Sequence, residues 1–197
     1  MIKFYSNREL SQKLKINLAR FKRWSREFLP PDPLGGMQSG YARQYSTDNA
    51  FMVYLGGHLV GELKYTISEA KKILADLKKW LKEKDFYINT ENSRKTGNDA
   101  KDLVKEYIIF ILRKNDLKNR SGSFSYRIRG IISNIPANYN EYRVREERYI
   151  EEYVPIDKRN KIDNNIESEK MFKITKIHRY FKNCVNTKVD RLKTEDC

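Results

Sequence analysis

Tyr5-Ser6-Asn7-Arg8-Glu9-Leu10, followed by Leu18-Ala19-Arg20-Phe21-Lys22-Arg23-Trp24-Ser25-Arg26-Glu27-Phe28, sets out two short helices in series. Ser6 is placed to cap the first, and Glu9 three residues on completes the capping-box pattern. Leu10 and Leu14 form its apolar stripe, and Lys15-Ile16-Asn17 reads as a turn. In the second helix Phe21, Trp24 and Phe28 recur at spacings of three and four and so share a face. Arg20, Lys22, Arg23 and Arg26 fall mostly elsewhere on it. Pro30-Pro31-Asp32-Pro33 ends the helix, because proline lacks the N–H and restricts the residue before it. Gly35-Gly36 and Gly40 bracket a turn-rich excursion suited to a small hairpin, with Tyr41-Ala42-Arg43-Gln44-Tyr45-Ser46 as a basic, aromatic wing.

Working outward, Ser46-Thr47-Asp48 caps a third helix containing Phe51, Val53, Tyr54, Leu55, Leu59 and Val60. Gly56-Gly57 is a weak point in it, since glycine costs about 1 kcal/mol in a helix. Tyr65-Thr66-Ile67-Ser68-Glu69 opens a fourth, with Ile67, Ala70, Ile73, Leu74, Leu77 and Leu81 at helical spacing. Residues 89–99 are polar and turn-forming. Ala100, Leu103, Val104, Tyr107, Ile108, Ile111 and Leu112 fit a helix capped by Asp99, although residues 107–112 also fit a buried strand; helix is the preferred reading. Residues 124–132 alternate as a strand, whereas 142–154 suits a strand or an amphipathic helix equally. Met171, Ile174, Ile177, Phe181 and Val185 line one face of a terminal helix over 168–186, with Lys173, Lys176, Arg179 and Lys182 elsewhere on it. The expected fold is mainly α with small β. It divides into a winged helix-turn-helix domain over 1–85, a linker over 86–99 and a C-terminal α+β domain over 100–197.

The chain has 197 residues and a formal charge of +14. With 39% hydrophobic and 12% aromatic residues it can build a packed core, which argues against wholesale disorder. A pI near 9.6 and a mean hydropathy of −0.79 point to an anionic partner, nucleic acid first. Residues 1–45 concentrate the excess: nine lysines and arginines stand against three acids. Arginine can pair bidentately with guanine and asparagine with adenine, so a helix carrying Asn17, Arg20, Lys22, Arg23 and Arg26 has donors for the major groove. Asn17 is equally placed to cap that helix, the commoner role. No apolar run reaches the ~20 residues of a membrane span. Two cysteines, Cys184 and Cys197, form no disulfide framework, and no signal peptide is legible, so the expected location is cytoplasmic and nucleoid-associated.

In order and spacing, residues 5 to about 80 resemble the DNA-binding domain of the MerR family of winged helix-turn-helix regulators. The matching pieces are Tyr5–Leu10, Arg20–Phe28, Leu29-Pro30-Pro31, Gly40–Ser46 and Tyr65–Ala70. The resemblance implies DNA contacts by Lys22, Arg23, Tyr41 and Arg43, to which Arg20 and Arg26 are added on charge and position. It further implies dimeric binding with distortion of the DNA between half-sites. The chain departs from metal-sensing members, which continue into a long coiled coil with sensor cysteines. A homodimer would then use the C-terminal region, with 100–113 and 168–186 as the surfaces available.

His58 and His178 both fall on helices and read as packing or surface residues, and no His/Cys spacing suggests zinc. Gly35-Gly36 lacks the strand and helix of a phosphate loop. Glu146, Glu147, Glu151, Glu152 and Asp157 match no defensible two-metal spacing and read as an acidic face opposite Arg143, Arg145 and Arg148. Tyr139, Tyr142, Tyr149 and Tyr153 suit either a stacking surface or a core. The sequence therefore points to a sequence-specific double-stranded DNA-binding transcriptional regulator, with no cofactor, no metal and no enzymatic activity. The alternative is an architectural, excisionase-like accessory factor of a mobile element or phage. Less favoured are an enzyme centred on Glu151 and Asp157 and a module binding RNA or protein.

Overall fold

The computed structural model of the chain describes residues 4–31, 43–87, 104–114, 123–139, 142–154 and 166–187. The described elements run β1 (Phe4–Ser6), α1 (Asn7–Lys13), α2 (Leu18–Phe28), β2 (Gln44–Ser46), α3 (Thr47–Gly61), α4 (Ile67–Glu83), β3 (Glu106–Lys114), β4 (Ser123–Tyr139), β5 (Tyr142–Val154), β6 (Ile166–Lys173) and α5 (Ile174–Asn186). Four of the helices begin on a polar cap. Ser6 accepts from Glu9 N at 3.2 Å and Ser46 from Asn49 N at 3.2 Å. Thr66 and Glu69 close a reciprocal capping box, at 3.2 Å from Glu69 N to Thr66 Oγ1 and 2.8 Å from Thr66 N to Glu69 Oε2. Each such bond satisfies an N–H that the first helical turn would otherwise leave without a partner.

β1 and β2 form a two-stranded antiparallel ribbon with Tyr5 opposite Tyr45, which holds the returning chain beside the start of α1. α3 lies at the centre of the helices: Ala50, Phe51, Val53, Leu55, Gly56, Gly57 and Leu59 are all buried, as befits a helix apolar nearly all round. Against it, Phe21 and Leu10 are fully buried, each contributing about 1.5–3 kcal/mol by leaving water. The glycine pair is not a weak point. A Cβ at Gly56 would lie 2.6 Å from the Phe28 ring, and one at Gly57 would lie 2.2 Å from Trp24 Cε3. Without side chains at these positions, the two aromatic rings of α2 lie directly on the α3 backbone.

The larger sheet has order β5-β4-β3-β6 and is antiparallel throughout. It corrects two expectations. Residues 106–114 are a strand, not a helix, and the β component is a four-stranded sheet rather than a minor element. β3 pairs on both sides, so its backbone groups are satisfied by neighbours, and its isoleucines pack well on a pleated surface. The expected helix over 168–186 is also two elements. Residues 166–173 form β6, and Met171 lies on that strand, 55% exposed, while Ile174, Phe181 and Val185 do line the buried face of α5. Residues 142–154, open between strand and helix, are a strand.

Ile109 and Ile111 of β3, Tyr126 and Ile128 of β4 and Phe172 of β6 face the helices and join the buried side chains of α1–α5 in one cluster. Polar bonds fix the register of that layer. Tyr126 donates from its hydroxyl to Asp76 at 2.7 Å, and Trp80 Nε1 donates to Glu152 at 3.0 Å. Lys84 reaches the same carboxylate at 2.7 Å, and Lys13 donates to the carbonyls of Val185 and Thr187 at the end of α5. A cation suits that end of a helix, where carbonyl dipoles accumulate negative charge. Phe86, inside the expected linker, is buried against Trp80; residues 88–99 lie outside the described residues. No described helix is long and apolar enough to cross a membrane.

Candidate nucleic-acid interface

α2 is fixed by a cap at its start and by packing along its inner face. At its start Asn17 Oδ1 accepts from Ala19 N at 2.9 Å and from Arg20 N at 3.2 Å, so of its two expected roles the cap is the one the geometry displays. Along its inner face Phe21 and Ser25 are buried, while Trp24 and Phe28 rest on the glycine pair of α3. At about 100° per residue the opposite arc holds Ala19, Lys22, Arg23 and Arg26. All four are exposed.

Glu27, on the same helix, takes its direct ion-pair partner from another helix, Lys71 of α4 at 2.7 Å. That hydrogen bond, with the Lys71 charge and then Arg23 and Arg26, lowers the Glu27 pKa. Lys22, Arg23 and Arg26 are exposed and form no ion pair among the described residues. Arg20 sits to one side with its guanidinium carbon 6.0 Å from the Trp24 ring. Phe21 meets Tyr45 edge-on at 6.0 Å, which packs the helix against the β1–β2 ribbon.

Arg43 enters β2 with one guanidinium nitrogen donating to Pro30 O at 2.7 Å and its carbon 5.7 Å from the Tyr45 ring. One of its five N–H donors is thus spent tying the ribbon to the end of α2. Tyr41, the other wing residue expected to make contact, lies outside the described residues. The structure brings Asn17, Arg20, Lys22, Arg23 and Arg26 onto one helix and sets Arg43 beside its exit.

Sequence reasoning missed the cleft on the Arg20–Arg23 side of the helix. It has a volume of about 900 Å³ and is walled by Ala19, Arg20, Arg23 and Trp24 of α2 and by Val60–Glu62 and Lys64–Ile67 of the α3–α4 turn. Lys64 occupies the left-handed region there, with φ 58°, and donates to Gly61 O. The Thr66–Glu69 capping spacing was legible, but the nearness of that turn to α2 depends on how Trp24 packs against Gly57, which no local pattern encodes.

Both histidines are largely buried, and two of the singled-out carboxylates are ion-paired. His178 is 8% exposed between the Phe51 and Phe86 rings, at 4.8 and 5.2 Å. Burial, with Lys182 nearby, pushes its pKa down to about 4. His58 is lowered as well, chiefly by burial. Glu151 pairs with Arg129 at 2.9 Å and Glu152 with Lys84 at 2.7 Å; Asp157 lies outside the described residues. Among the described residues no group of three or more His, Cys, Asp or Glu side chains is placed to hold a metal ion. Compared with protein-family models, curated proteins and solved structures, the chain matches none.

Proposed function

We propose that the chain binds double-stranded DNA, with α1, its turn and α2 acting as a helix-turn-helix and the β1–β2 ribbon as the base of a wing, in the manner of the MerR-type readers that residues 5–80 resemble. One observation carries this reading: Lys22, Arg23 and Arg26 form a single exposed ridge, without an ion pair among the described residues, on a helix whose other face is locked into the core. A duplex presents one phosphate charge per about 1.7 Å of axis, and such a ridge neutralises phosphates while its arginines reach base edges. Ala19, between Arg23 and Arg26 in projection, puts only a methyl group in the middle of the ridge. Arg43, anchored to Pro30, positions the strand that leads back from the wing.

The role that follows is regulation of transcription by sequence-specific binding. Selection of bound sequences from a random duplex pool tests both parts. A defined consensus site supports the reading, whereas sequence-independent enrichment would assign the chain to an architectural role. No enrichment of duplex over RNA at matched salt would reject it.

A further inference from the structure

β4 and β5 outrun the rest of their sheet. β3 accompanies β4 only as far as Ile131, which pairs with Glu106, the first residue of β3. Beyond it β4 and β5 stay paired from Ser133 with Arg148 to Tyr139 with Tyr142, and among the described residues β4 pairs there with β5 alone. At about 3.3 Å per residue, those seven pairs make a two-stranded arm roughly 23 Å long. The register slips where the arm leaves the sheet, between Ile131 and Ser133, and a bulge of this kind bends and re-aims its strand. Pro136, within the arm, has no N–H to offer a ladder. Proline is confined to edge strands and bulges, which suits a stretch of β4 paired on one side.

We propose that this arm lies in the major groove of double-stranded DNA and reads bases there. Residues opposite each other in an antiparallel pair share a face, as do residues two apart on one strand. The register therefore puts Asn134, Pro136 and Asn138 of β4 on one face of the arm with Arg143, Arg145 and Glu147 of β5. Arginine and asparagine are the residue types that pair bidentately with guanine and adenine. Two of each share this face, with Asn138 opposite Arg143 towards the tip, while Glu147, its one acid among these pairs, lies opposite Asn134 near the base. The other face, which holds Ile135, Ala137, Tyr139, Tyr142 and Val144, is mostly apolar. The polar face is the one whose chemistry matches base edges. Dimensions agree, because two strands about 4.8 Å apart fit a groove about 12 Å wide that admits a two-stranded ribbon. The chain's net charge of +14 supplies the general attraction to a polyanion.

The inference rests on the DNA reading but uses other residues at another place in the fold. Glu27 of α2 pairs with Lys71, near the start of α4. The base of the arm lies near the other end of that helix, where Trp80 meets Tyr107 edge-on at 5.3 Å and Tyr107 pairs with Gly130 of β4. α2 and the arm thus sit at opposite ends of α4, so their contacts fall on separate stretches of one duplex.

Selection from a random duplex pool, followed by titration of the selected site, reads the outcome with the full chain. Wild type is expected to select two separate blocks of sequence, of which Lys22→Ala/Arg23→Ala/Arg26→Ala loses one. Asn138→Ala/Arg143→Ala/Arg145→Ala is expected to melt like wild type and to lose the other block. It should bind the two-block duplex at least ten-fold more weakly, since a single bidentate pair is worth roughly ten-fold. Arg143→Lys/Arg145→Lys keeps the charge without the planar fork, so it is expected to lose the same block yet bind unselected duplex like wild type. A folded alanine variant with the wild-type site and affinity overturns the proposal and leaves the α2 reading standing. A lysine variant that still selects the second block overturns base reading by the arm. If wild type enriches no duplex at all, the α2 reading fails and the arm's role falls with it.

Discussion

Replacing Gly57 by alanine drives a methyl group into the indole of Trp24. The added carbon would lie 2.2 Å from Cε3 and 2.3 Å from Cζ3. Unbonded carbons settle at about 3.5–4.0 Å, so the ring must retreat by roughly 1.5 Å. Overpacking of this kind costs about 1–3 kcal/mol. Alanine returns about 1 kcal/mol because it is the better helix former. The balance is a destabilisation on the order of 1 kcal/mol, seen as a fall of roughly 2–4 °C in Tm for a chain of this size. Trp24 is adjacent to Arg23, so the displaced indole also tilts the basic ridge, and duplex affinity falls several-fold although no cation is removed. Trp24→Leu in the Gly57→Ala background restores part of both losses, because the two positions touch and their effects are not additive. Melting curves and duplex titrations of the two single variants and the double variant measure this. An alanine variant that melts above wild type and binds DNA equally well would refute the close approach of α2 to α3.

Asn17→Ala removes the acceptor for two N–H groups of α2 and is expected to cost about 0.5–2 kcal/mol in urea unfolding. Asn17→Asp keeps the cap and the stability, so equal losses from both would show that capping is not the role. His178 gives a pH signature. Its folded pKa is held down to about 4, whereas an unfolded histidine titrates near 6.5. The unfolded chain therefore binds the proton first, so stability is full above about pH 6.5 and declines as pH falls toward 4. His178→Phe is expected to flatten that part of the decline in the urea midpoint, and an unchanged slope would acquit the histidine.

The N-terminal helices were legible because their signals are local. Ser6, Asn17, Ser46 and Thr66 sit one residue before helical periodicity begins, and caps act over three residues. β3 was misread because Leu103, Val104, Tyr107, Ile108 and Ile111 also satisfy helical spacing, and only pairing with β4 and β6 decides between the two. The passage from β6 into α5 gives no warning, since Lys173 supplies no side-chain cap. At the candidate interface the cations were visible in the sequence. The Trp24–Gly57 contact and the Glu27–Lys71 pair join residues far apart in the chain and had no local trace.

Duplex affinity as a function of salt tests the central claim most directly. Wild type and Lys22→Ala/Arg23→Ala/Arg26→Ala would be titrated with the selected duplex across a range of ionic strength, with melts confirming that both are folded. Each phosphate contact contributes about 0.9 to the slope of log K against log salt, and truncating a base-reading arginine costs about 1–3 kcal/mol. The account predicts a folded triple variant whose slope is shallower by roughly 1–3 and whose affinity falls by at least a factor of ten. A folded triple variant with the wild-type slope and affinity would contradict it.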